Sequence, residues 1–140
     1  MFELMQWHVG LIFVVCFLSV LGILAWRNTK RQIRRTLARR ENLSRSAFIE
    51  AMSGEVSAKA SEFLLEMTKP HLNCFGLEIM LHPDDDFVRD LPIAEDDWSM
   101  DWPREWAERR GFHESNFPDW PKDQPVTVRN FAKWLDSAPV

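Results

Sequence analysis

Between Val9 and Ala25 the chain reads VGLIFVVCFLSVLGILA, a run without a charged residue. With Trp7, His8 and Trp26 the run reaches about twenty residues, or ~30 Å as an α-helix, which is the thickness of a hydrocarbon core. A helix that is apolar all round must be enclosed by protein or by lipid. The rest of the chain has too little apolar surface to enclose it, so this stretch predicts a single transmembrane helix. Trp7 and Trp26 stand at its two ends, where amphipathic indoles prefer the membrane–water interface.

The order of charge around the run predicts its orientation. A signal peptide carries positive charge ahead of its apolar core. Here Glu3 is the only charged side chain before the core, and Arg27, Lys30, Arg31, Arg34, Arg35, Arg39 and Arg40 follow it. That order predicts an uncleaved anchor. Basic flanks stay in the cytoplasm, so the expectation is a single pass with the N-terminus outside and the C-terminal domain cytoplasmic.

Beyond the span the charge is divided. Residues 27–45 hold eight Lys or Arg and one acid, Glu41, whereas residues 46–140 hold nineteen acids and nine bases. The sequence therefore reads as an anchor at 1–26, a basic juxtamembrane stalk at 27–45 and an acidic domain at 46–140. Arg27, Lys30, Arg31, Arg34 and Arg35 are the expected contacts to anionic lipid headgroups, each contributing ~1 kcal/mol near the surface. The same charges also serve topology and solvation alone. Nucleic acid is not an expected partner, because the acidic domain repels phosphate. Two cysteines cannot make a disulfide framework.

The acidic domain patterns as helices. Phe48, Met52, Val56, Phe63, Leu64 and Met67 recur at threes and fours, with Gly54 loosening or dividing the run and Pro70 ending it. The stretch NCFGLEIML reads equally as strand or loop. A second helix starts near Ser99 or Asp101, tolerates Pro103 in its first turn and ends at Gly111. A third is capped by Thr127. The expected fold is all-α: a small bundle whose core is Val56, Phe63, Leu64, Phe87, Leu91, Trp106, Phe112, Phe131 and Leu135.

Residues 82–102, HPDDDFVRDLPIAEDDWSMDW, hold eight carboxylates and a single arginine. An EF-hand loop needs oxygen ligands at fixed spacing about a glycine, and this segment has no glycine. No nucleophile, histidine partner or phosphate loop accompanies the acids. His71, His82 and His113 do not follow metal-ligand spacing. The expectation is therefore a non-enzymatic protein without a cofactor or metal. The acids read either as a solvated loop that keeps the domain off the anionic membrane, or as a docking surface for a basic partner.

The pieces DDDFVRDLPIAEDDW, WAERRGF and TVRNFAKWL resemble the acyl carrier protein superfamily. Within it they look like a small enterobacterial family described as acyl-carrier-like. The resemblance covers roughly residues 55–137 and implies an acyl-carrier-like helical bundle. It says nothing of the anchor or stalk; for a chain similar to an enterobacterial family, the membrane expected for the anchor is the bacterial inner membrane. A carrier takes phosphopantetheine on the serine of an Asp-Ser-Leu motif, and the matching positions here are Asp96, Asp97 and Trp98. Asp97 stands in the serine's place, and a carboxylate cannot accept that group. What the resemblance leaves is a docking helix with an acidic face.

Asp96, Asp97, Trp98 and Trp102 are accordingly the candidate partner-binding residues. The two tryptophans are expected as exposed anchors, with Trp106 and Trp134 in the core. The function expected is a membrane-tethered interaction module. Two alternatives remain: a working acyl carrier modified on Ser99, and a small accessory subunit of a membrane complex held by its anchor helix.

Overall fold

The computed structural model describes residues 2–73 and 76–138, with side chains described from residue 10 onward. The indole of Trp7, the ring of His8 and Cys74 lie outside the described residues. The architecture is helical. α1 (Phe2–Arg39), α2 (Arg45–Met52), α3 (Ala58–Leu72), α4 (Trp102–Arg110) and α5 (Val128–Asp136) are joined by irregular chain. A π-helical turn, Asp97–Asp101, leads into α4, and a 3-10 turn spans Glu114–Asn116. Among the described residues the extended backbone pairs at one isolated antiparallel bridge, Asp86 to Thr127.

The chain forms two compact units, Met1–Arg31 and Gln32–Val140. In the first, every residue from Gly10 to Asn28 is exposed. Large apolar side chains such as Phe13 are 74% exposed. Among the described residues nothing covers this surface, which makes α1 a long apolar N-terminal helix of the kind found in a membrane span or a signal sequence.

The second unit begins inside the basic segment. Ile33 is fully buried and Thr36 nearly so. The last turns of α1 are therefore core-forming, and Leu37 packs beside them. Ser44 caps α2, accepting from the Ala47 amide at 3.2 Å. The expected long helix is divided: α2 stops at Met52, Gly54 turns the chain at φ 91°, and Ser57 caps α3. A positive φ costs a glycine little, which places the break there. α3 continues two residues past Pro70 to Leu72. In the last turn the ring removes only one backbone donor, so the helix frays later than the sequence predicts.

The core forms between α3, α4, α5 and the loop after α3. Phe87 meets Trp102 at 5.7 Å and Phe131 at 5.4 Å, and Phe63 meets Trp106 at 5.0 Å between ring centroids. The expected core residues are buried, save Phe112, which is half-buried against the cluster. Residues 77–81 are a loop that buries Ile79 and Leu81. Two ends are closed as expected: Gly111 in the left-handed region at φ 77° after α4, and Thr127 Oγ1 accepting from the Asn130 amide at the start of α5. The Ser57 amide and hydroxyl donate to Asp136 at 2.6 and 2.7 Å, tying the start of α3 to the end of α5.

Candidate functional site

The acidic stretch folds as two segments with different surroundings. Asp84, Asp85, Asp86 and Asp90 belong to the loop. Glu95, Asp96, Asp97 and Asp101 lie on the helical ramp into α4.

In the first segment Asp85, Asp86 and Asp90 face inward, while Asp84 stays exposed. Arg40, just past the end of α1, grips Asp85 with two parallel hydrogen bonds, Nε to Oδ1 at 2.7 Å and Nη2 to Oδ2 at 2.6 Å. The two side chains are only 12% and 4% exposed. Bidentate pairing of this kind is geometrically specific as well as strong. Arg40 Nη2 also donates to the Met80 carbonyl at 2.8 Å, and the His82 amide donates to Asp85 at 3.0 Å. Burial pushes the Asp85 carboxyl up, against the pull of the Arg40 guanidinium and the His82 amide.

Asp86 and Asp90 shape the turn between them. Asp86 accepts from the amides of Val88 and Arg89, and Asp90 accepts from the amide of Asp86. α1 fastens the same turn: Thr36 donates to the Asp90 carbonyl at 2.9 Å, Gln32 donates to the Arg89 carbonyl at 2.9 Å, and Arg39 pairs with the Asp90 side chain. Burial alone would raise the Asp90 carboxyl, but the Asp86 amide and the Arg39 guanidinium outweigh it and hold it below the ordinary range. The loop also serves α5. Carbonyls of Asp85 and Pro83 accept from the amides of Val128 and Arg129 at 2.9 and 2.8 Å. These are orphan donors of a helix first turn, so the loop satisfies groups that would otherwise need water. Asp84, the outermost acid here, lies 3.4 Å from Arg129.

The second segment is open. Glu95 and Asp96 are exposed and enter no ion pair among the described residues. Asp97 lies 3.6 Å from His71 and is 30% exposed. Asp101 pairs with Arg104 at 2.5 Å across solvent-exposed side chains. Ser99 is exposed on the same turn, and Met100 is 61% exposed.

The candidate residues therefore separate. Asp96 and Asp97 sit together on the surface with Glu95. Trp98 is half-buried and stacked on Phe87 at 6.0 Å. Its indole nitrogen is buried and finds no acceptor among the described residues. Trp102 corrects the expectation of an exposed anchor: it is 2% exposed and packs on Phe87 and Phe131. Its neighbour Asp101 turns instead to Arg104 at the surface. Trp106 is in the core as expected, whereas Trp134 is half-buried, stacked 4.5 Å from Phe117.

Of the basic residues, Arg27, Arg31, Arg34 and Arg35 are exposed and Lys30 is half-buried, its ammonium 5.0 Å from the Trp26 ring. None of the five enters an ion pair among the described residues, in contrast to Arg39 and Arg40. Sequence reasoning passed over Gln32, Thr36, Arg39 and Arg40 as fastenings. Their signal was the spacing of Ile33, Leu37 and Arg40 on one helix face.

Among the described residues no three His, Cys, Asp or Glu side chains converge as a metal site. No protein-family model, curated protein or solved structure matches the chain.

Proposed function

We propose that the chain is a non-catalytic interaction module tethered to a membrane by α1, with a bundle of acyl-carrier-like form that docks a basic protein partner. The observation that carries the tether is the complete exposure of an uncharged helix from Gly10 to Ala25. In water such a surface is an aggregation liability, whereas in a bilayer it is the expected lipid-facing surface. The basic flank supports an orientation with the N-terminus outside and the bundle in the cytoplasm of a bacterial inner membrane. Arg27, Lys30, Arg31, Arg34 and Arg35 are free to meet anionic headgroups.

The docking half of the reading is supported by the open carboxylates of Glu95, Asp96 and Asp97, with the exposed edge of Trp98 beside them. Asp85, Asp86 and Asp90 leave the proposal, because their partners are inside the fold, and Trp102 leaves it because no partner reaches it. The acyl-carrier-like form is supported by the order of elements: α3, a long loop, a helix entered at Asp97, a short turn at 114–116, and α5. Asp97 at the helix entrance gives no hydroxyl for a phosphopantetheine arm.

One preparation tests these points. Membranes carrying the full chain with a C-terminal tag are washed with carbonate and then solubilised gently. The chain should stay with the membrane until detergent is added, and protease outside intact cells should spare the tag. Partner recovery should fall with Asp96→Lys/Asp97→Lys. Release by carbonate, digestion of the tag, or equal recovery would each contradict the corresponding part. Intact mass after co-expression with a phosphopantetheinyl transferase should equal that of the bare chain. A gain of the prosthetic group that Ser99→Ala abolishes would replace docking with acyl carriage.

A further inference from the structure

Beside the acidic ramp lies an open, shallow pocket of about 400 Å³, bordered by the π-helical turn, the start of α4, the 114–120 turn and Trp134 of α5. Its walls are unusual for this surface. Phe117, Trp120 and Trp134 supply aromatic rings, and Met100 supplies a thioether at the rim. Outside the apolar run of α1, Met100 and Val88 are the exposed large apolar side chains of the described chain.

We infer that this pocket seats a lysine or arginine side chain of the basic partner. The inference rests on the docking reading above and deepens it by naming what the partner inserts. Two observations on the walls select a cation. The first is charge. Arg104 lines the pocket, but Asp101 holds its guanidinium at 2.5 Å and neutralises it locally. Glu114 and Asp119 also line it, both are exposed, and neither enters an ion pair among the described residues. The pocket thus carries two unpaired carboxylates against one guanidinium that Asp101 already engages, a small negative surplus that favours a positively charged visitor.

The second observation is how the indoles are committed. Trp120 Nε1 donates to the Gln124 carbonyl at 3.1 Å, and Trp134 Nε1 donates to the Pro118 carbonyl at 2.7 Å. A polyproline strand would need such donors for its carbonyls, and these are taken. What remains is the apolar, electron-rich surface of Trp120, whose ring contacts to Phe131 and Trp134 are tilted rather than face to face. A long basic side chain uses both properties, laying its methylene stem on that ring and its charge near the carboxylates. Trp134 is fixed as the rear wall by stacking on Phe117 and on Phe131, at 4.5 and 5.7 Å between centroids.

The test uses the full chain in an uncharged detergent, with indole N–H resonances as reporters and hexa-lysine as the probe. Titration should move the Trp120 and Trp134 indole signals saturably, and hexa-glutamate should move neither. Glu114→Gln/Asp119→Asn alters two exposed, unpaired side chains and should leave the fold intact while weakening hexa-lysine at those signals about tenfold. Shifts at Trp120 that the double variant leaves unchanged would overturn the inference. Shifts confined to Trp98, and lost in Asp96→Lys/Asp97→Lys, would overturn it while leaving acidic docking standing. No shift at any indole would overturn both.

Discussion

Residues 84–90 and 95–101 carry four carboxylates each, yet one set holds the fold together and the other faces solvent. Asp85, Asp86 and Asp90 are 4%, 12% and 15% exposed at the side chain, with Asp84 alone of that set left outside at 70%, whereas Asp97 and Asp101 are 30% and 54% exposed. The density of charge in the sequence is the same. The difference is made by another element: the end of α1 delivers Arg39 and Arg40 to the first set and nothing comparable to the second. A carboxylate taken from water must be paired and hydrogen-bonded or neutralised. Asp85 and Asp90 meet that requirement within the chain, while Glu95 and Asp96 remain available to something outside it.

The contrast is broken most severely at Arg40. Arg40→Met should lower stability by about 3–5 kcal/mol, since it leaves the buried Asp85 charge without its partner. The loss, read as a shift in the urea midpoint, should shrink in acid, because burial already pushes the Asp85 carboxyl up and a proton relieves the unpaired charge.

A smaller effect separates the two fastenings by pH. Asp90 is held below its ordinary value in the fold, so it contributes stability above the unfolded value of about 4 and loses it as pH falls further. Asp85 has the opposite sign. Its folded carboxyl binds a proton more readily, so its ionisation makes stability fall as pH rises through a window just above about 4. Urea midpoints of the wild type and Asp90→Asn should therefore differ at neutral pH and converge below pH about 4. A constant offset down to strong acid would show that Asp90 does not act through its charge.

The smallest expected effect lies in the second segment. Trp98→Phe keeps an aromatic ring against Phe87 and removes a buried N–H that finds no acceptor among the described residues, so the midpoint should hold or rise. A clear fall would mean that the indole nitrogen is bonded after all.

Much of this architecture was legible in the sequence. The apolar run, the caps at Gly111 and Thr127, the break at Gly54 and the helical core followed from local rules. The inward turn of the first acids did not, because Arg40 and Asp85 are forty-five positions apart and no local pattern joins them. Half of that contact was visible, since Ile33, Leu37 and Arg40 share a face that a free stalk would not need. Trp102 was misplaced for a different reason. Its acidic neighbours suggested a surface, but neighbours in sequence point elsewhere on a helix. Its spacing of four from Trp106, a core residue, carried the correct signal.

The most direct test compares the two acidic segments by the same urea titration of the full chain in one detergent. Asp85→Asn/Asp90→Asn should lower stability by several kcal/mol, roughly the cost of breaking a buried pair together with a charged hydrogen-bond set. Glu95→Lys/Asp96→Lys should stay within about 0.5 kcal/mol of the wild type, as exposed substitutions do. Equal losses in the two double variants would contradict the division of labour on which the account rests.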